Sequence, residues 1–206
     1  LNVEQSYEFG KYRDRVRVNG VKIMLDGSPQ GKTAFMSEPY LEPPAGQASD
    51  YRGYPAIPQA RVDELISFYL ERKVPIIAHA NGDAAADMLI NAVQEAGPAY
   101  DHRTVMIHAQ TVREDQLTIM KRLGMIPSYF AAHSFYWGDW HRDSVFGLKR
   151  ASRISPTAST VARKMVFTIH NDAPIVPPDV LRLLWATTNR VTRSGKILGI
   201  EQRIST

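Results

Sequence analysis

From residue 60 onward the sequence alternates between helical and strand periods, and this alternation restricts the fold more than any other feature of the chain. Val62, Leu65, Ile66 and Tyr69 recur at helical spacing across 60–73. VPIIAHA (74–80) then reads as a short buried strand, and DAAADMLINAVQEAG (83–97) as an Ala-rich amphipathic helix stopped by Gly97 and Pro98. The strand TVMIHAQ (104–110), the helix REDQLTIMKRLG (113–124) and the strand MIPSYFAA (125–132) follow. After an aromatic-rich loop, PTASTVARK (156–164) reads as a helix feeding the strand MVFTIHND (165–172), and PPDVLRLLWATTNRV (177–191) as a last helix opened by prolines. With VRVNGVKIML (16–25) near the start, the period gives about five strands. Repeated βα units predict an α/β fold with a parallel sheet covered by helices.

Length and composition set the outer limits. A chain of 206 residues, 44% hydrophobic and 22% charged, suits one sizeable domain with its own core. The net charge of +4 is spread over 25 basic and 21 acidic residues, which reads as a solvated surface and not as a nucleic-acid footprint. There is no cysteine, so thiolate metal ligands and disulfides are excluded. No apolar run approaches the roughly 20 residues of a membrane span, and no targeting segment is evident, so the default expectation is a cytoplasmic protein without membrane partners. The chain opens on Leu1 and closes on the polar ILGIEQRIST, which reads as an excerpt of a longer protein.

Gly31-Lys32-Thr33, just after a strand, invites a phosphate-loop reading that its spacing defeats. Asp26 stands where the first glycine should be, Pro29 removes an N–H from the cradle, and the following Pro- and Gly-rich residues form no helix.

The polar strand ends carry more. Side chains alternate along a strand, so Val21, Ile23 and Leu25 share one face of the first strand, while Lys22, Met24 and Asp26 share the other. Lys22 is thereby directed into the interior of a sheet or barrel, paired with Asp26 or recruited for chemistry. His79 ends the next strand, opposite Ile76 and Ala78; His108 ends the third, opposite Val105 and Ile107; Asp172 ends the last, on the face of His170. Ligands and catalytic groups collect at the C-terminal ends of parallel strands. Two imidazoles and a carboxylate suit zinc, iron or manganese, and such an ion lowers the pKa of a bound water while a nearby Asp takes the proton. Hydrolysis is the reaction this favours.

VKIMLDGS, AHANGDAA, MIHAQ and HNDAPIVPP, in that order and spacing, resemble the metal-dependent amidohydrolase superfamily, in particular amidohydrolase family 3 with its N-substituted formamide deformylases. The resemblance covers nearly the whole chain. It implies a (β/α)8 TIM-type barrel of which about the fourth to eighth strands are present, so that residues 1–206 form a single hydrolase barrel domain incomplete at its N-terminus and also at its C-terminus. It implies one or two divalent ions, zinc before others, held by Lys22 as a carboxylated lysine, by His79 and His108, and by Asp172, which doubles as general base. The implied substrate is a small amide, formamide or cyclic amide cleaved at a non-peptide C–N bond, and a homo-oligomer is compatible with it. The chain departs from the family pattern in one respect: the His-x-His of the first strand occurs nowhere among its six histidines. A non-catalytic barrel segment lacking a complete metal site is therefore the competing expectation.

Further residues have assignable roles. SYFAAHSFYWGDWH (128–141) reads as an aromatic loop, either lining a substrate pocket through His133 and Trp137 or packing over the barrel. Asp83 is expected to cap the helix it opens, His170 and Asn171 to orient Asp172, and His102 to be an exposed loop residue.

Overall fold

The computed structural model describes residues 8–205. A small hairpin comes first, with β1 (Tyr12–Arg13) antiparallel to β2 (Val16–Arg17) and both turn residues, Asp14 and Arg15, at positive φ. The sheet that organises the molecule has five parallel strands in sequential order: β3 (Val21–Met24), β4 (Ile76–Ala80), β5 (Val105–His108), β6 (Ile126–Tyr129) and β7 (Thr168–Ile169). The stretch read as one strand over 16–25 is thus divided between hairpin and sheet. The strand expected over 165–172 is laddered only where it meets β6, since β7 is the edge of the sheet among the described residues.

The crossovers are the expected helices. α1 (Gln59–Glu71) joins β3 to β4, α2 (Asp83–Ala96) joins β4 to β5, and α3 (Glu114–Leu123) joins β5 to β6. Gly97 and Gly124 close α2 and α3 in the left-handed conformation that a missing Cβ permits. The segment 133–151 corrects the sequence reading. It is no open loop but a chain of short helical turns, α4 (His133–Tyr136), α5 (Gly138–Trp140), a π-helical turn (His141–Val145) and α6 (Gly147–Ala151). Its aromatic spacing hid the helical period because buried rings face several directions at once. α7 (Thr157–Ala162) leads into β7, and α8 (Val180–Asn189) follows, its Asp179 carboxylate accepting a hydrogen bond from Arg182 N at 2.9 Å.

One face of the sheet is packed. Ile23, Leu25, Ile76, Ala78 and Met106 meet Val62 and Ile66 of α1, Leu89 and Val93 of α2, and Leu117 and Met120 of α3 in one buried cluster. Each fully buried aliphatic side chain there contributes about 1.5–3 kcal/mol relative to exposure. Strand register puts Lys22 and Met24 beside Ile77 and His79 on the opposite face. That face is open in the chain described: Lys22 is exposed, and Met24 and Ile77 are 47% and 39% accessible. Among the described residues the order β3-β4-β5-β6-β7 forms an arc with two free edges, the architecture expected of part of a (β/α) barrel.

Candidate metal centre

The C-terminal strand ends bring a cluster of histidines together, although not by alternation alone. His79 follows Ile77 on the inner face of β4 and is buried. His108 pairs with Ala80 in register, which by strict alternation puts it with Met106 on the helix side. It does not stay there. The backbone turns left-handed at His108 (φ 71) and Ala109 (φ 44), and the His108 imidazole lies 4.5 Å, centroid to centroid, from that of His79. Positive φ in a non-glycine residue is strained and persists where surrounding structure holds it. Ala109 N donating to Ala80 O and Thr111 N donating to Asn81 O are the bonds that hold this turn.

His170 continues β7, its N–H bonded to Tyr129 O, and its Nε2 lies 3.4 Å from His108 Nδ1. Its other ring nitrogen is 2.9 Å from Ser128 Oγ on β6. Asp172, also at positive φ (60), completes a triple: one donor atom each from His108, His170 and Asp172 lies within 4.8 Å of the other two. Burial, followed by the neighbouring His79, His170 and Lys22 charges, pushes His108 down to about 2. Burial, reinforced by Lys22 and His79 and opposed by Asp172, pushes His170 down to about 4. Both rings are therefore neutral near pH 7 and offer a lone pair. Two neutral imidazoles and a carboxylate on rigid strand ends fit a divalent cation.

The sequence-selected residues fall around this triple as follows. His108 and Asp172 belong to it. His79 packs against it, with Nε2 turned to Gly27 O (2.9 Å), Asn81 Nδ2 (3.0 Å) and Asp26 (3.4 Å). Lys22 makes no ion pair within 4.0 Å among the described residues, but its charge acts on both His108 and His170. The alternative reading of Lys22, a pair with Asp26, does not form, because Asp26 is occupied elsewhere: buried, it accepts hydrogen bonds from the backbone N–H groups of Phe35 (3.0 Å), Asn81 (3.0 Å) and Gly82 (2.8 Å). His170, expected to orient Asp172, stands among the donors instead, and Asn171 donates to Pro177 O at 2.7 Å. The signal for His170 was its place two residues before Asp172 on one strand face. Nothing in the sequence marked Asp26 as the acceptor that organises two loops.

His133 is buried among rings, 4.5 Å from Phe130, 5.7 Å from the half-buried Trp137 and 6.0 Å from His108, so the pair borders the triple. Asp83 does not cap α2, whose N-cap is Gly82; its carboxylate accepts from Ser37 N at 2.8 Å and pairs with Arg113 at 3.1 Å. His102 is buried, held between Thr104 Oγ1 and Leu123 O at 2.7 Å each, so the exposed reading is corrected. Lys32 cradles no phosphate: it is buried, with Nζ bonded to Ser144 Oγ at 2.8 Å and over the Trp140 ring.

Comparison with known proteins shows the family and the fold. The profile of the amidohydrolase family matches residues 2–206, and the chain belongs to that family. It is similar to YtcJ of Bacillus subtilis (strain 168), whose name carries a provisional amidohydrolase designation, with 25% identity over 169 residues, 81% of this chain and 30% of YtcJ. Among solved structures it is similar to an uncharacterized metal-dependent hydrolase from Pyrococcus furiosus (27% identity, TM-score 0.76, 96% of this chain and 39% of that one). A hydrolase of the same description from Pyrococcus horikoshii OT3 shares the fold at TM-score 0.78 and 24% identity, again over 39% of its length. The chain thus spans about a third of the relatives it matches, and the five-stranded arc is part of a TIM-type barrel.

Proposed function

We propose that the protein carrying this chain is a metal-dependent hydrolase that cleaves a non-peptide C–N bond in a small amide, formamide or cyclic amide. The observation that carries the reading is the convergence of His108, His170 and Asp172 donor atoms within 4.8 Å at the strand ends of an amidohydrolase-family sheet. His79 and Lys22 stand beside this triple as further ligands. A divalent ion, zinc by the character of the donors, supplies an activated water when bound. Lys22 becomes an anionic ligand if its neutral amine adds to CO2, forming the N–C bond of a carbamate and releasing one proton to solvent. The Asp172 carboxylate accepts the proton that the attacking water gives up and returns it to the leaving nitrogen. His133 and Trp137 wall the substrate side with ring faces and one polar handle.

The competing reading, a barrel segment without catalysis, draws on the missing His-x-His. Two measurements separate them. Metal analysis of the full-length protein is expected to find about one to two zinc or similar ions per chain, lost in a His108→Ala, His170→Ala double variant. Asp172→Asn is expected to lower kcat on a formamide or cyclic amide by about 10³-fold with the fold retained. Full activity in Asp172→Asn would remove Asp172 from the role of base, and a metal-free wild type would favour the scaffold.

A further inference from the structure

Arg190, at the end of α8, is completely buried and forms no ion pair within 4.0 Å among the described residues. A buried guanidinium without a carboxylate is costly, and burial pulls its pKa down to about 10, opposed by the more distant Glu201. Its N–H groups go to backbone carbonyls instead. Nε donates to Leu198 O at 3.0 Å, Nη1 to Ile154 O at 2.7 Å and to Ser155 O at 3.2 Å, and Nη2 to Ser152 O at 3.1 Å. One side chain thus fixes the connection from Ser152 to Ser155, between α6 and α7. Gly199 belongs to the same arrangement, since a Cβ there would lie 1.7 Å from Ser152 O and 3.0 Å from Arg190 Nη2.

The connection held in this way grips the turn that carries His108. Ser155, itself at positive φ (48), donates its N–H to Gln110 O at 2.7 Å. On either side of Gln110 the same turn is bonded to β4 and the loop after it, Ala109 N donating to Ala80 O at 3.0 Å and Thr111 N to Asn81 O at 3.1 Å. The left-handed step at His108 and Ala109, which turns the imidazole inward, is therefore clamped from two directions. One is the neighbouring strand. The other is Ser155, whose own carbonyl is held by Arg190 Nη1 and by Thr157 N at 2.8 Å. Backbone in these strained regions persists only where its surroundings hold it.

We propose that Arg190 is a positioning residue for His108: through Ser155 it holds the turn that keeps this imidazole among the donors of the metal centre. The planar fork is what the task needs. Its four acceptors are spread over Ser152, Ile154, Ser155 and Leu198, and a lysine ammonium, with its donors on a single atom, cannot serve them together. The link from Arg190 to the turn stands on its hydrogen bonds; its consequence for a metal ion rests on the hydrolase reading above.

The full-length protein provides the test, with two readouts. In metal-free Arg190→Met, hydrogen exchange of the segment 108–112, followed by mass spectrometry, is expected to speed up about tenfold while α1 and α2 keep their wild-type rates. Zinc affinity, measured by competition with a chromogenic chelator, is expected to fall about tenfold. Arg190→Lys should resemble Arg190→Met in both; full recovery there would make the charge, and not the bridge to Ser155, the cause. Gly199→Ala crowds Ser152 and Arg190 by an independent route and should shift both readouts in the same direction, so it carries the comparison if Arg190→Met does not fold. Val62→Ala, in the helix-packed core, lowers stability without touching the turn and should leave both readouts within about twofold of wild type. Wild-type exchange of 108–112 in Arg190→Met, or a zinc affinity there no lower than in Val62→Ala, overturns the role. A wild type that binds no metal removes the hydrolase reading, and the exchange of 108–112 then decides alone whether Arg190 holds the turn.

Discussion

Asp26 shows how one carboxylate can set the geometry of a site it does not join. Its two oxygens take the N–H groups of Phe35, Asn81 and Gly82, tying the loop after β3 to the loop after β4, and the same carboxylate lies 3.4 Å from His79. Asp26→Ala strands these donors, two of them fully buried, and is expected to cost about 3 kcal/mol or more. A fall in urea midpoint at constant slope measures it; a change below about 1 kcal/mol would mean that water replaces the carboxylate. At this scale the sequence was legible wherever alternation alone fixes direction, as it put Lys22 and His79 on the inner face. It was blind where the backbone leaves the strand conformation. The left-handed turn at His108 comes from bonds to Ala80 and Asn81 in the neighbouring strand and its following loop, contacts that no local pattern encodes.

Elements were legible in proportion to their apolar period. α1, α2 and α3 lie within a residue or two of their expected limits because each buries a stripe against the sheet, whereas the short turns of 133–151 have no single buried stripe. The junction of β4 and α2 depends on a glycine for a reason invisible in the sequence. Gly82 has ordinary dihedrals, but a Cβ there would lie 1.9 Å from Phe35 O and 2.5 Å from Phe35 C, backbone atoms that a rotamer change cannot move. Gly82→Ala is therefore expected to destabilise by about 3 kcal/mol, the upper part of the overpacking range. Gly124→Ala is the informative comparison: its φ is 73 with open space around it, so only backbone strain opposes the substitution, at about 1 kcal/mol. Equal losses in thermal or urea unfolding would show that close approach to Phe35 is not what Gly82 serves.

The described residues form an arc of sheet with a packed outer face and an open inner one; the βα alternation made the parallel, helix-covered sheet readable before any side chain was placed, and the barrel was implied by the family resemblance. What alternation could not give is the electrostatic character of the interior, where several imidazoles are kept from charging. Burial alone holds His141 down to about 3, and burial, then its imidazole neighbours, hold His133 well below its ordinary value. A histidine whose folded pKa is depressed binds its proton in the unfolded chain first. Between about pH 6.5 and the folded value the unfolded state carries more protons, so stability rises with pH and is lost on acidification. Each such ring contributes a slope of about 1.4 kcal/mol per pH unit once its unfolded form is fully charged, and His133 and His141 act in the same direction. Urea unfolding from about pH 6.5 to about pH 5, above the range where carboxylates titrate, should show this fall. His141→Gln removes one titrating ring and should flatten the dependence by about that slope whatever its own stability. A variant with the wild-type pH dependence would show that His141 already charges in the folded protein, and that the histidine cluster is wetter than its burial implies.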